Sequence, residues 1–398
     1  MSGLQRVPVF GNTVIAAGID FTSVRCDEDS SGILRDPEMA DPVEARKLMF
    51  RFGTRTLRAF YDAICMALMA EPAILISSVH HLAARAVKEK YRVPLVGVRT
   101  QPSWTGNMIG AHANREDWLL KPSLGMGWPK CLQLGCMTAA IAPALRKLCS
   151  EIGISIPRQR LQTWKHPPDL SINLFPEWFC DWPARRSADV VNDGFPLEDL
   201  SGQFAMPGDL RAFIDSSEKL VLLTLEIGSA WSQDFFETGL RACALIGARA
   251  LFATSRPDLL PNPLPSWARA VEYHPFSEIL PRVCAVVHDG GIGTLSQCLA
   301  AGVPQLITPM LRDQQGNAAR VRWLGAGETL IPSQFSVESV ASSLIRLTSG
   351  TPVRAACESM KTLCQQEVAG SAALDALERV ALGWQNGAIG RSSAPVLN

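Results

Sequence analysis

Residues 283–325 read VCAVVHDGGIGTLSQCLAAGVPQLITPMLRDQQGNAARVRWLG and decide the fold class. The run at 284–287 is short, apolar and rich in valine, which is typical of a buried parallel strand. Gly290, Gly291 and Gly293 follow at once, in a turn where small residues let the backbone come close to a ligand. The pattern therefore predicts a strand that leads into a ligand-binding loop.

A helix and a second strand are predicted directly after this loop. Thr294 and Gln297 have the spacing of a capping box, which predicts that a helix begins at Thr294. Gly302 ends that helix, and Pro304 prevents its continuation. Residues 305–308, which read QLIT, then predict the next strand. Helix crossovers between successive strands imply a parallel sheet.

A polar loop and another helix complete the stretch. We expect a loop at 312–314 and a helix at 317–324. Ligands of open parallel sheets bind outside the carboxyl ends of the strands, and both predicted loops lie at that edge. Amides at the start of the first helix suit a phosphate. Asp313 would repel a phosphate and suits sugar hydroxyls, while Gln314 offers both a donor and an acceptor. Together these features predict a sugar carried on a nucleoside diphosphate.

The stretch 288–325 resembles the donor-binding motif of the family 1 glycosyltransferases that have the GT-B fold. Within that family it is most similar to the bacterial sterol-glucosyltransferase-like group, which includes the rhamnosyltransferase subunit of rhamnolipid synthesis. The matching pieces are HDGGIGT, AAGVPQL, DQQGNAARV and LGAG. Weaker similarity runs through most of the chain, including VPVFGNTVIAAGIDF, EKYRVPLVGV, LFPEWFCDWP and DGFPL.

The resemblance implies an α/β fold in which two Rossmann-like domains, each with a parallel sheet, face a central cleft. The family's first βα unit has no counterpart before the matching stretch, so we expect an incomplete, truncated N-terminal domain. The expected organisation is an N-terminal acceptor-side domain at 1–196, a linker at 197–208, a nucleotide-sugar-binding domain at 209–370, a crossover helix at 371–382, and a tail at 383–398.

Composition narrows the function classes. Of the 398 residues 47% are hydrophobic, enough for two cores, and the formal net charge of +0 does not favour nucleic acid as a partner. The 11 cysteines include no CxxC pair, which favours a reducing compartment. No run of about 18 apolar residues occurs in the sequence. We therefore expect a cytoplasmic protein, in peripheral contact with the inner membrane face.

The resemblance also implies a set of donor contacts. Gly228 and Ser229 would face the phosphates, although a simple βα turn explains them equally well. Tyr273 would stack on the base beside His274, with core packing as the rival reading. The position of a second family histidine is occupied by Asp289, which leaves His288 as the phosphate contact. The predicted donor-binding residues are Gly228, Ser229, Tyr273, His274, His288, Gly290, Gly291, Gly293, Thr294, Gln297, Asp313 and Gln314.

The catalytic base is the least defined part of the predicted site. In the family it commonly lies on the loop of the first βα unit, which we expect to be absent here. His80 and His81 follow a predicted strand at 73–77, and a histidine pKa suits base chemistry near neutral pH. They are the candidate catalytic residues, with a helix-cap or surface histidine as the alternative.

The expected reaction moves a hexosyl group from a UDP- or dTDP-sugar to a hydroxyl of a lipid-like or small-molecule acceptor, with inversion. Helix-start amides would stabilise the leaving diphosphate, so we expect no metal and no cofactor. Two alternatives remain: a glycosyltransferase-like binding protein without the acceptor-side base, and a GT-B sugar-nucleotide epimerase. A nicotinamide dehydrogenase is disfavoured, since GGIG differs from GxGxxG.

Overall fold

The structure is a computed structural model that describes residues 11–24, 42–70, 73–78, 81–102, 142–154, 169–180, 190–216, 219–225, 231–310, 312–367 and 369–385. Within these ranges the chain forms two parallel sheets with helices packed on them. The predicted α/β class with two parallel sheets is therefore confirmed. The predicted tail at 383–398 lies mostly outside the described residues.

The first sheet has four parallel strands in the order β1-β2-β3-β4. Its strands are β1 (Leu75–Ser78), β2 (Leu95–Arg99), β3 (Leu170–Asn173) and β4 (Val190–Asn192). The helices of this part of the chain are α1 (Gly11–Ala16), α2 (Pro42–Ala70) and α3 (Leu82–Tyr91), with a helical stretch at 142–151. Residues 19–24 follow α1 without pairing in either sheet.

The second sheet has six parallel strands in the order β10-β9-β8-β5-β6-β7. Its strands are β5 (Leu220–Thr224), β6 (Arg249–Ala253), β7 (Ala268–Val271), β8 (Ala285–His288), β9 (Gln305–Ile307) and β10 (Gly327–Thr329). The helices of this part of the chain are α4 (Gly208–Asp215), α5 (Trp231–Leu245), α6 (Phe276–Ile279), α7 (Ile292–Ala301), α8 (Arg312–Trp323), α9 (Val337–Ser349), α10 (Thr351–Gln366) and α11 (Ser371–Gln385). Short 3-10 turns lie at Glu177–Phe179, Pro257–Leu259, Leu280–Arg282 and Pro332–Gln334.

The two sheets are joined by one shared apolar cluster and by the last helix. The turn after β3 contributes Phe175 and Phe179, which pack with Leu295 and Leu299 of α7 in the same cluster. Helix α11 packs on the first sheet through Ala373 and Ala376, next to residues of β2 and β3. The loop after β3 is thereby held against the helix that begins at the glycine loop.

Replacing Phe179 by alanine is expected to lower the free energy of unfolding by about 3–5 kcal/mol. Its side chain is 2% exposed, and its ring lies 5.1 Å from the ring of Phe195 within the shared cluster. Urea unfolding followed by tryptophan fluorescence measures the change. As a matched control, Leu374→Ala on α11 removes a side chain that is 62% exposed and should change stability little. Equal losses for both variants would contradict the cluster's role.

Candidate functional site

The strand order of the second sheet locates a crevice. The chain runs from β5 outward through β6 to β7, and then crosses to the other side of β5 to form β8. This reversal is a topological switch point, and ligands of such sheets bind there, outside the carboxyl ends of the strands. The loop after β8 lies at this point. The loop after β5 holds Gly228 and Ser229, which lie outside the described residues.

Gly290 gives the loop after β8 its shape. Its φ is +93°, in the region that favours glycine, and a Cβ there would lie 2.8 Å from Cγ2 of Ile307 on the neighbouring strand. The predicted glycine turn is therefore packed closely against β9. β9 pairs with β8 in parallel register, so the predicted neighbouring strands are confirmed.

The start of α7 corrects the predicted capping box. The helix begins at Ile292 with Gly291 as its N-cap, and no side chain caps it. The first bond within the helix runs from the Leu295 amide to the Gly291 carbonyl oxygen, at 3.0 Å. Thr294 is thus the third helical residue rather than the cap. The amides of Ile292, Gly293 and Thr294 precede that first bond, and such amides favour an anion.

His288 cannot contact a phosphate in this arrangement, which corrects the predicted role. Its side chain is 0% exposed. Nδ1 accepts from the Gly290 amide at 3.1 Å, so Nε2 carries the proton that it donates to Oε1 of Gln305, at 2.9 Å. Burial holds the pKa of His288 at about 4, below its ordinary value, so the ring is neutral at pH 7. His288 shapes the glycine loop from beneath.

Asp289 and Gln314 also point into the protein. Both side chains are 2% exposed, and Nε2 of Gln314 donates to Oδ2 of Asp289 at 2.9 Å. Oε1 of Gln314 accepts from the Met310 amide at 2.8 Å. The carboxylate in the second histidine position is therefore turned away from the loop's outer face. The predicted contact between Gln314 and the sugar is corrected, because its amide is held by Asp289 and Met310.

Asp313 lies in the first turn of α8, since that helix begins at Arg312. The predicted loop at 312–314 is wrong, because these residues are already helical. A carboxylate in a first helical turn is stabilised by the helix dipole. Asp313 is half-buried, as are Thr294 and Gln297 of α7. Their contacts with a donor stay predictions.

Three buried polar residues beneath the loop were missed by the sequence analysis. Asn317 is 0% exposed, and its Nδ2 donates to the Gly290 carbonyl oxygen at 3.0 Å. Gln305 bonds His288, and the Thr308 amide donates to the His288 carbonyl oxygen at 2.8 Å. Asn317 lies one helical turn after Gln314, a spacing that could have placed both on the buried face of α8. Oδ1 of Asn317 has no bonding partner in the described part of the chain, and such groups ordinarily bind ordered water.

The segment predicted to bind the base contacts the stretch that was predicted to be the interdomain linker. Tyr273 is 51% exposed, its hydroxyl donates to the Asp199 carbonyl oxygen at 2.7 Å, and its ring lies edge-on to Phe204. His274 is 3% exposed, with Nε2 at 3.0 Å from the Glu278 carboxylate. The predicted donor contact of the His274 side chain is corrected, since that ring is enclosed. Base stacking on Tyr273 stays a prediction.

On the first sheet, only one of the two candidate histidines is described. His80 lies outside the described residues. His81 is the N-cap residue of α3, and its ring lies edge-on to the ring of Phe60 on α2, at 4.6 Å. Burial lowers the pKa of His81, which favours the neutral imidazole. The structure thus places His81 in the packing of two helices, as the helix-cap alternative has it.

A row of polar side chains at the carboxyl ends of the first sheet was also missed. Nη1 of Arg99 donates to Oδ1 of Asn173 at 3.2 Å, and Nδ2 of Asn173 donates to Oδ1 of Asn192 at 2.6 Å. The three residues are paired in register on adjacent strands β2, β3 and β4. Each is the last residue of its strand, which is the signal that could have found them.

Among the described residues, no group of three or more histidine, cysteine or acidic side chains is placed to hold a metal ion. No described helix is both long enough and apolar enough to cross a membrane.

The two parallel α/β sheets of the described residues match solved glycosyltransferases that have the GT-B fold. The glycotransferase of kitacinnamycin superposes with a TM-score of 0.67 at 17% sequence identity, over 94% of this chain and 89% of that one. The glycosyltransferase VinC in complex with dTDP gives 0.61 at 20% identity, over 93% and 90%.

A family match covers part of the chain that holds the second sheet. Residues 249–371 match the family described as erythromycin biosynthesis protein CIII-like, C-terminal domain. O-mycaminosyltylonolide 6-deoxyallosyltransferase of Streptomyces fradiae is 32% identical over 169 residues, which are 41% of this chain and 37% of that protein. The match thus spans about a third of that relative's length. The predicted resemblance to GT-B glycosyltransferases of family 1 is confirmed, while the sterol-glucosyltransferase-like subgroup stays a prediction.

Proposed function

We propose that the chain is an inverting glycosyltransferase that moves a hexosyl group from a UDP- or dTDP-sugar to a hydroxyl of a lipid-like or small-molecule acceptor. The observation that carries the proposal is the start of α7 at the switch point of the second sheet. Relatives named as sugar transferases, and a solved neighbour that holds dTDP, support a nucleoside diphosphate donor.

The chemistry proposed for the donor side relies on backbone amides. Charge gathers on the diphosphate as the glycosidic bond breaks, and preorganised amides of Gly293 and Thr294 would stabilise it in the transition state. With His288 buried and Asp289 turned inward, the described part of the loop offers the phosphates amides rather than side-chain cations. Asp313, on the adjacent helix start, would orient the sugar hydroxyls. Ser229 would add a hydroxyl from the opposite loop, and Gln297 would bond the ribose.

The acceptor side is proposed from its place in the fold. The carboxyl ends of β1 to β4 would face the acceptor, with His80 or His81 as the base. A neutral imidazole is the form that accepts a proton, and the lowered pKa of His81 favours that form. Peripheral contact with a membrane surface would suit a lipid acceptor.

Thr294→Pro is expected to weaken dTDP and UDP binding about 10-fold or more, since it removes an amide that would bond a charged phosphate. Proline in a first helical turn removes no bond within the helix, so the fold should survive. Isothermal titration calorimetry measures both affinities. The matched control Glu338→Pro changes the first turn of α9, which follows β10 at the sheet edge, and should leave binding unchanged.

The outcomes separate the candidate functions. Binding of neither nucleotide to the unmodified chain would refute the proposal. Binding that Thr294→Pro leaves intact would refute the amide site. Tight donor binding without transfer to any tested hydroxyl acceptor would favour the binding-protein alternative.

A further inference from the structure

A chain of three hydrogen bonds links the glycine loop to the segment before α8. The Gly291 amide donates to Oδ1 of Asp289 at 3.2 Å, and Nε2 of Gln314 donates to Oδ2 of the same carboxylate at 2.9 Å. Oε1 of Gln314 then accepts from the Met310 amide at 2.8 Å. The side chains of Asp289 and Gln314 are both enclosed by the protein.

The direction of this chain is set at both ends. The two terminal groups, at Gly291 and Met310, are backbone N–H donors and cannot reverse their role. Gln314 must therefore turn its oxygen to Met310 and its NH₂ group to residue 289. Residue 289 then receives a donor from each side, so it must present two acceptors. A carboxylate does this, whereas an asparagine or a neutral histidine has only one acceptor group.

We propose that Asp289 and Gln314 are a positioning pair that sets the geometry of the donor site without touching the donor. The pair ties the loop before α7 to the start of α8, and these are the two segments assigned to the diphosphate and the sugar. This inference rests on the proposed function for its effect on donor binding. The hydrogen-bond chain explains why an aspartate occupies the second histidine position, which the motif alone does not explain.

A charge swap tests the pair. Asp289→Asn leaves one acceptor group where two are needed. The new side-chain NH₂ group then faces one of the two donors, the Gly291 amide or Nε2 of Gln314. Gln314→Glu sets two carboxylates against each other. In the double variant Asp289→Asn/Gln314→Glu, the new carboxylate at position 314 accepts from the Met310 amide and from the new side-chain NH₂ group at position 289. The new amide oxygen at position 289 accepts from the Gly291 amide. The three bonds of the chain are thereby restored at an unchanged net charge.

Each single variant is expected to bind dTDP or UDP about 10-fold or more weakly, and the double variant to regain affinity within about 3-fold of the unmodified chain. The alternative explanation, a badly placed charge beside the diphosphate, predicts the opposite sign for Asp289→Asn, because removing a negative charge would tighten binding. Tighter or unchanged binding by Asp289→Asn would overturn the proposal.

Thermal unfolding midpoints, measured without ligand on the unmodified chain, the two single variants and the double variant, test the hydrogen-bond chain independently of nucleotide binding. We expect both singles to unfold at lower temperature, and the double variant to recover. If no protein binds a nucleotide but the midpoints follow this pattern, the proposed function fails while the hydrogen-bond chain stands. If the single variants do not fold, the test is whether the double variant folds. A double variant that is no more stable than the single variants would refute the positioning pair.

Discussion

Replacing Gly290 by alanine is expected to lower the free energy of unfolding by about 2–5 kcal/mol and to remove measurable dTDP or UDP binding. Two costs add. A φ of +93° is strained for any residue with a side chain, and the new Cβ would lie 2.8 Å from Cγ2 of Ile307. To relieve that contact, either β9 or the loop must move. If the loop moves, the amides at the start of α7 move with it. Urea unfolding and calorimetric titration measure the two effects.

Gly247→Ala is the matched control for Gly290→Ala. Gly247 also has a positive φ, +64°, at the turn after α5, but nothing lies within 4 Å of the position that a Cβ would take there. The control therefore carries the conformational cost alone, about 1 kcal/mol, and should leave nucleotide binding unchanged. A loss in Gly290→Ala no larger than in Gly247→Ala would show that close packing against β9 does not hold the loop.

Acidification is expected to destabilise the protein through His288. Its pKa is about 4 in the folded state, against 6.5 for an ordinary histidine, so the unfolded chain binds more protons between these values. Stability should therefore be full above about pH 6.5 and fall as the pH drops toward 4, by up to about 3 kcal/mol from this residue. A protonated Nδ1 can no longer accept from the Gly290 amide, so the loop should be lost with it.

His288→Asn isolates this contribution. Asparagine places an acceptor near the position of Nδ1 and does not titrate, although the bond to Gln305 is lost. The variant should be less stable at pH 7, and its deficit relative to the unmodified chain should shrink as the pH falls to 4. Urea unfolding at several pH values provides the comparison. A deficit that stays constant across this range would contradict a buried neutral His288.

Much of the second domain could be predicted from local pattern. The run at 220–223 is apolar without alternation, as a strand buried on both faces requires, and it lies in β5. The strand predicted at 305–308 corresponds to β9. Glycines in the sequence predicted the end of α7 at Gly302 and the turn at Gly290. Both residues have a positive φ in the structure, which is the backbone conformation that favours glycine. The strand β10 was not predicted.

The sequence predicted where the candidate site lies more accurately than it predicted which side chains make its contacts. Local sequence indicated a loop rich in glycine at the carboxyl end of a strand, since backbone conformation there depends on the residues themselves. It could not indicate which way His288, Asp289 and Gln314 point. Those directions depend on partners that are distant along the chain. His288 bonds Gln305, 17 residues away, and Asp289 bonds Gln314, 25 residues away.

The amino-acid sequence by itself therefore determined the alternation of strands and helices, the glycine loop, and the resemblance to a glycosyltransferase family. These follow from hydrophobic period and backbone preference, which act over a few residues. Only the tertiary structure decided which polar side chains of the loop are enclosed and which are exposed. Burial favours a hydrogen-bond partner for each polar group, and for the side chains of His288 and Asp289 a neighbouring strand or helix supplies one.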